Sequence, residues 1–596
     1  MRSTMANGYG PKTDFGAMMH AMKYRGPDES FDDYCVRYAR TTTDNEKDFR
    51  VLLRLLRDQV VLPAGRQQIA VGRPHQITAF NCFVADTIQD DTRDIFDAVA
   101  DGAMVLRSGG GCGWDFSTLR PEGEVIRGLG LGAKASGPIS FMHVWNSMCG
   151  TIMSAGERRG AMMGVLRIDH PDAPKFARAK QVAGALNNFN ISLAVTDEFM
   201  EALAKDGLYK MRFNGRTYGD YRAADVWGPI MENNWDWAEP GVLFIDRINS
   251  LNPLGYCETI AATNPCAEQP LPPNGACLLG SVNVFKLLVP DHNGVVGDGR
   301  QAVTYTIDME LLRESVTAMV NAFDMVIDKT IYPLEAQARE ARAKRRMGIG
   351  VTGMANALEV MGYSYGTAGY CVMQETILEA INTQAYLTSM ELAKVKGPFP
   401  LWDADLYSQG EFFKTRLPGD LQEMIKANGL RNGLLTSIAP TGTISVAADN
   451  VSSGIEPPFQ HRYERDIITP TGKQTFEVID AAFNMYGVAG LTAEQVPPEQ
   501  HVAVMCSAQR YIDSSISKTV NVWGQVGGEG PGTTYGDFKK LYLQAYEGGA
   551  KGCTTFNANG KRGGILRKIE EEEEKPTPDT GLACTFDLAT GQRTCE

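Results

Sequence analysis

The spacing of apolar residues along the chain predicts helices and strands in alternation. Asp308 to Lys329 sets Leu312, Val316, Met319, Val320, Phe323 and Ile327 on one helical face. Asp91 to Leu106 does the same with Ile95, Val99 and Met104, and a helical pattern runs near Phe49 to Leu56. Phe189, Ile191, Leu193 and Val195 alternate with Asn190, Ser192 and Ala194, which is the period of a half-buried strand. Residues 80–85, Phe-Asn-Cys-Phe-Val-Ala, read as a short buried strand carrying Cys82, and Arg345 to Leu358 as a strand and a helix. This alternation gives an α/β class and leaves the number of strands open.

One stretch fits neither period. Residues 264–283 read Asn-Pro-Cys-Ala-Glu-Gln-Pro-Leu-Pro-Pro-Asn-Gly-Ala-Cys-Leu-Leu-Gly-Ser-Val-Asn. Pro265, Pro270, Pro272, Pro273 and Gly275 rule out a helix and disfavour a long strand, so a shaped loop is expected. In extended backbone, residues two apart face one side, which would aim Asn264, Cys266 and Glu268 at one ligand as donor, sulfur and base. Two buried structural cysteines at 266 and 277 are the plain alternative. A zinc half-site is another, although no Cys-x-x-Cys or His cluster accompanies it.

Composition narrows the function. A formal net charge of −13 without a basic cluster argues against nucleic acid or an anionic membrane as the main partner, so an anionic substrate needs a local phosphate site. No apolar leader and no run long enough to cross a membrane stands in the sequence, so a cytoplasmic protein is expected. In that compartment the 12 cysteines read as thiols, some with redox or catalytic roles, and not as a disulfide framework. The acidic run Glu570–Glu574 followed by Lys-Pro-Thr-Pro-Asp reads as an extended linker. Beyond it, Cys584 and Cys595 are either a thiol pair able to exchange with a buried disulfide or incidental thiols on a disordered end.

The wording of the 264–283 loop resembles the active-site finger loop of ribonucleotide reductases, most closely the adenosylcobalamin-dependent class II enzymes. The shared pattern is Asn-Pro-Cys-x-Glu-Gln-Pro-Leu-Pro-Pro-x-Gly-x-Cys-x-Leu-Gly-Ser. Where the family usually has Gly this chain has Ala267, a mild change unless the backbone needs a positive φ there. Gly-Glu-Arg-Arg-Gly-Ala at 156–161 is similar to the first specificity loop, and Lys180–Asn188 takes the place of the second. Pro-Thr-Gly-Thr-Ile-Ser at 440–445 resembles the segment that holds substrate phosphates, and Ser-Ser-Gly-Ile-Glu-Pro at 452–457 is also family-like.

The resemblance implies a ten-stranded α/β barrel of two antiparallel five-stranded parallel halves with a central finger loop. It implies boundaries of 1–60 for a short N-terminal helical segment, too short for an ATP-binding regulatory domain, 61–565 for the barrel and 566–596 for the linker and redox tail. It implies roles as well. Cys266 would carry a thiyl radical, Glu268 would act as base, and Asn264 would orient the ribose hydroxyls. Cys82 and Cys277 would supply two electrons, and Cys584 and Cys595 would reset them. Asn81, Gly111, Pro440, Thr441, Gly442, Thr443, Ile444 and Ser445 would bind the substrate, a ribonucleoside diphosphate. Asp90, Arg158 and Lys180 would contact a deoxynucleotide effector. Adenosylcobalamin, a thioredoxin-like reductant and a second copy of the chain follow as cofactor and partners, with no metal held by protein side chains.

The chain departs from the family where Arg66 and Gln67 occupy a segment that often carries Ser or Thr for the substrate. Class I enzymes place paired tyrosines in the segment that here spans Lys539–Thr555, where Tyr542 is followed by Leu543. A class I large subunit with an atypical relay and a catalytically silent deoxynucleotide-binding protein are the rival readings. The latter need not keep Cys82, Cys266, Glu268 and Cys277 together. A glycyl-radical enzyme fits less well, because no such C-terminal segment stands out.

Overall fold

The structure is a computed structural model. It describes residues 8–74, 77–126, 132–152, 160–182, 184–291, 303–469, 472–523, 532–561, and the backbone of 584–586 and 593–595. It divides into two units. The smaller holds the strand pair Arg462–Thr469 and Gly472–Ile479 and the short ladder Cys584–Phe586 with Arg593–Cys595, whose register sets Cys584 opposite Cys595.

The main sheet of the larger unit has ten strands: Val61–Pro63 (β1), Cys82–Val84 (β2), Gly111–Asp115 (β3), Met162–Arg167 (β4), Phe189–Val195 (β5), Gly241–Phe244 (β6), Ala276–Asn283 (β7), Met347–Thr352 (β8), Thr519–Val522 (β9) and Gly552–Asn557 (β10). Strands β2, β3, β4, β5 and β6 run parallel in that order. At one edge β2 meets β7 antiparallel, and β7 continues in parallel to β8. At the other, β6 meets β10 antiparallel, and β10 continues in parallel to β9. Residues 434–438 bond to both ends of this series. Ile349 N–H donates to Leu435 O at 2.8 Å, and Ser517 N–H, just before β9, donates to Ile438 O at 2.9 Å.

The helices begin where the sequence supplies caps. Asp308 accepts the N–H groups of Glu310 and Leu311 at the start of Met309–Lys329, and Asp91 accepts that of Arg93 at the start of Thr92–Arg107. The apolar face of Met309–Lys329 packs behind β7, with Phe323 filling the space that a Cβ at Gly280 would take. Burying one such phenylalanine contributes about 1.5–3 kcal/mol.

Side chains alternate along each strand. Phe83, Trp114, Met162, Ile191 and Leu193 join the large core under the helices. Val84, Met163, Val165, Ala194, Leu243 and Cys277 face the other way and meet Ile260, Ala262 and Leu271. That second face holds the 264–269 loop. Its close approach needs Gly113, where a Cβ would lie 1.8 Å from the Thr263 carbonyl oxygen. Of the polar positions of β5, Asn190 is exposed and Ser192 buried, and both line a half-open cavity. Among the described residues, no helix is long and apolar enough to cross a membrane.

Candidate active site

The finger loop is a hairpin whose stem is Ala262–Thr263 paired with Pro270–Leu271. Its tip is a tight turn. Ala267 N–H donates to Asn264 O at 3.0 Å, Gln269 N–H donates to Asn264 Oδ1 at 2.9 Å, and Ala267 has φ +65°. The expectation of extended backbone gives way here to a turn, in which Asn264 and Glu268 are buried and Cys266 is exposed. Three outside groups fix the tip. Asn190 Nδ2 donates to Pro265 O at 2.8 Å, and the Glu268 carbonyl accepts from Ser515 N–H at 3.0 Å and Ser437 Oγ at 2.9 Å.

Asn264, Glu268 and the two redox-candidate cysteines come together. Cys82 on β2 and Cys277 on β7 are direct partners in antiparallel register, where opposed Cα atoms lie about 4.5–5.5 Å apart, within disulfide range. Asn264 Nδ2 lies 3.0 Å from Cys82 Sγ, and the Cys82 thiol lies 3.6 Å from Glu268 Oε1. All four residues are buried. Burial raises the pKa of the Glu268 carboxyl, with the Asn264 hydrogen bond opposing. Burial also pushes the Cys82 thiol well up, helped by Glu268, Cys266 and Cys277 around it. Glu268 Oε2 and Asn81 Oδ1 are buried with no hydrogen-bond partner in the protein, which is what acceptors kept for a ligand hydroxyl look like.

Cys266 is exposed to a cavity of about 230 Å³. Asn190, Ser192, Glu239, Ser517, Lys518 and Thr554 give this cavity its polar wall. Tyr542 takes no part in it. It lies buried on the helix Tyr535–Glu547, 3.0 Å from Thr555 Oγ1 and edge-on to Trp227. From the segment that follows, Cys553 and Thr554 reach the cavity, and no tyrosine is among its described lining residues.

The 440–445 segment begins beside Cys82, since Ala439 packs with Ala64, Cys82 and Leu279. Thr441 has φ +53°; its Oγ1 accepts the Gly454 N–H at 2.8 Å and lies 3.0 Å from Thr352 Oγ1. Ser445 Oγ lies 3.0 Å from Ser453 Oγ. These internal bonds hold the shape of Pro440–Ser445, while Gly442 stands exposed with nothing within 4 Å of where a Cβ would be. Gly111 faces the loop itself, with the Pro265 ring 2.9 Å from its would-be Cβ. Arg66 is buried and lies over Gly109.

The effector candidates are not brought together. Lys180 pairs with Glu239 at 2.6 Å, against the Cys266 cavity. Asp90 pairs with Arg120 at 2.6 Å and lines a separate cavity with Arg167, Asp169 and His170. Arg158 lies outside the described residues, as do the side chains of Cys584 and Cys595. Sequence reasoning missed Ser437, Ser515, Asn190 and Lys518, none of which carries a local signal.

Comparison with known proteins agrees with this geometry. Residues 80–556 match the ribonucleotide reductase barrel domain. A vitamin B12-dependent ribonucleoside-diphosphate reductase of Thermoplasma acidophilum is 33% identical over 83% of this chain and 63% of its own length. Another of that name, from Mycobacterium tuberculosis, is 30% identical over 91% of this chain and 76% of its own. A ribonucleoside-diphosphate reductase subunit alpha of Helicobacter pylori is 26% identical over 65% of this chain and 60% of its own. With the barrel-domain match spanning most of its length and the cysteines, carboxylate and carboxamide gathered on one loop and two strands, the chain belongs to the ribonucleotide reductase family.

Proposed function

We propose that the protein is a vitamin B12-dependent ribonucleoside-diphosphate reductase of class II, with adenosylcobalamin as radical source. The observation that carries this is the register of Cys82 against Cys277 beneath Asn264 and Glu268. The main sheet, together with residues 434–438, supports a ring of two five-stranded parallel halves around the finger loop.

The cavity fits a radical source that binds in place. Its walls carry hydroxyls, a carboxamide and a carboxylate suited to a nucleoside, and the segment where class I enzymes place paired tyrosines contributes Cys553 and Thr554 instead. Asn190, Ser192, Glu239, Ser517 and Thr554 would hold the nucleoside part, and the cofactor when bound supplies the unpaired electron.

The chain's own groups then divide the work. The Cys266 sulfur takes the 3′-hydrogen of the ribose. Glu268 accepts the 3′-hydroxyl proton, a role suited to a carboxyl whose pKa burial has raised. Asn264 orients the hydroxyls. The 2′-hydroxyl leaves as water with a proton from Cys82. Cys82 and Cys277 give up two electrons and become a disulfide, and Cys266 returns the hydrogen to C3′. Pro440–Ser445 would hold the diphosphate, and Asn81 the sugar. The tail pair Cys584 and Cys595, set opposite each other in backbone register, would reduce the disulfide and be reduced in turn by a thioredoxin-like protein. A cytoplasmic homodimer regulated by deoxynucleotides at the specificity loops completes the reading.

The test is to add adenosylcobalamin, dithiothreitol and a ribonucleoside diphosphate to the purified chain. Deoxynucleotide should form with no second protein present. Activity only on adding a metal-containing subunit would move the assignment to class I, and nucleotide binding without turnover under either condition would leave a silent binding protein.

A further inference from the structure

We infer that the Cys82–Cys277 disulfide is reopened with a fixed polarity: an incoming thiolate attacks Cys82, and Cys277 departs as the thiolate beside Arg346. This rests on the reading of the two cysteines as the redox pair.

The two sulfurs oppose each other in register, yet their surroundings differ. Cys82 keeps 4% of its surface exposed and packs with Ala64, Leu279 and Ala439, at the start of the segment assigned to substrate phosphates. Cys277 has none exposed and packs with Val84, Ile260 and Leu271, under the stem of the finger loop. A thiol arriving through the substrate side meets Cys82 first.

Charge points the same way. Leu278 pairs with Met347 in the parallel register of β7 and β8, so the residues just before them, Cys277 and Arg346, stand side by side on adjoining strands. Arg346 is 1% exposed and bonds to Glu258 and Glu340, both of which also pair with Lys344 at 2.8 Å. Its Nε has no hydrogen-bond partner. Two cations thus balance two carboxylates, and a thiolate forming at Cys277 gains a neighbouring guanidinium. A thiolate forming at Cys82 would instead meet Glu268, 3.6 Å away. Burial pushes both thiols up, and Arg346 is the largest opposing influence on Cys277. The sulfur whose thiolate is better stabilised leaves faster in disulfide exchange.

The exchange balances with thiols alone as reductant. The first thiolate bonds to Cys82 Sγ while the Cys82–Cys277 bond breaks, and its electron pair leaves on Cys277, which then takes a proton. A second thiol attacks the external sulfur and frees Cys82, which is also protonated. Two external thiols end as one disulfide.

The experiment uses full-length protein carrying Cys584→Ser and Cys595→Ser, so that the tail cannot resolve an adduct. It is oxidised with diamide and the Cys82–Cys277 bond is verified by peptide mapping. Brief exposure to 2-mercaptoethanol, an acid quench, N-ethylmaleimide labelling and a second map follow. Mercaptoethanol should be found on Cys82 and maleimide on Cys277, favoured by about tenfold or more over the reverse. Equal or reversed labelling overturns the polarity and leaves the redox pair standing. Absence of the Cys82–Cys277 bond in the first map overturns the redox pair, and the polarity with it.

Discussion

The Asn264 carboxamide spans two elements: its Nδ2 lies 3.0 Å from Cys82 Sγ on β2, and its Oδ1 accepts the Gln269 N–H at 2.9 Å within the finger loop. One side chain therefore sets both the shape of the loop tip and its distance from the thiol. Replacing Asn264 with Ala leaves a buried N–H without its partner, which costs about 1–3 kcal/mol. The thermal midpoint should fall, and turnover should fall further than that loss of folded protein explains. An Asn264→Ala protein with unchanged kcat at a temperature where it is fully folded would remove Asn264 from the chemistry.

Cys266 is the cysteine of the loop that faces the polar cavity. Serine there keeps size and polarity but gives up a weak S–H bond for a strong O–H bond, which a radical cannot readily open. Cys266→Ser should abolish deoxynucleotide formation while ribonucleotide binding, read by equilibrium dialysis, stays within about twofold, since surface-neutral changes rarely exceed 0.5 kcal/mol. Residual turnover near wild type would end the thiyl assignment.

Ala267 holds φ +65°, a region that costs an L-residue roughly 1–2 kcal/mol and glycine almost nothing. Ala→Gly usually destabilises by about 0.5–1 kcal/mol through the unfolded chain. The two effects oppose each other here, so Ala267→Gly should be neutral or stabilising by up to about 1 kcal/mol. Ala267→Val should destabilise, because a β-branched residue fits this region worst. Chemical denaturation of both variants checks the pair, and a clear loss for Gly would contradict the left-handed turn.

These cases show which parts of the fold were readable along the chain. The strand Phe189–Val195 and the helix starts at Asp91 and Asp308 rest on local periodicity and caps, and they lie where expected. The motif from Asn264 to Glu268 was legible as chemistry but not as geometry. Prolines excluded a helix, yet the left-handed turn at Ala267 depends on Asn190, Ser437 and Ser515 gripping the tip. The first two grip it from 75 and 169 residues away. The polar side of β5 lines a cavity at Asn190 and Ser192, and alternation reports two environments without saying what the second one holds. The relay segment, where Leu543 follows Tyr542 and breaks the class I pair, shows where its tyrosine goes only in the fold. Tyr542 is the tyrosine in the text, but helix packing turns it to Thr555, and the strand after it presents Thr554.

Glu268 has no basic partner within its cluster, so its raised pKa reflects burial first. A raised carboxyl pKa means that the folded state pays to ionise a group that ionises freely when unfolded. Its contribution to stability is full below the unfolded value and is lost as pH rises through the folded one. Glu268→Gln should then be more stable than wild type at pH 8, with the gap closing toward pH 4. The same variant should lose about 10²–10⁴ in kcat through the missing base. A variant that is inactive but no more stable at pH 8 would mean that the native carboxylate is already solvated.

Glu359 gives the same argument with a number and away from the chemistry. On the helix Met354–Val360 it accepts the Leu491 N–H at 2.9 Å through Oε1, while Oε2 is buried without a partner. Burial, reinforced by the Asp480 carboxylate, pushes its pKa up to about 8. An unfolded glutamate titrates near 4.3, so between those values the folded chain holds a proton that the unfolded chain has released. Stability should fall as pH rises across that window and level off above it. Glu359→Gln removes the titration. Measured by urea unfolding at pH 5 and pH 8.5, the variant should gain on wild type by roughly 2–4 kcal/mol between the two conditions. Parallel curves at both pH values would show that the Glu359 carboxyl finds water or a cation and is not held in the dry pocket beside Gly490.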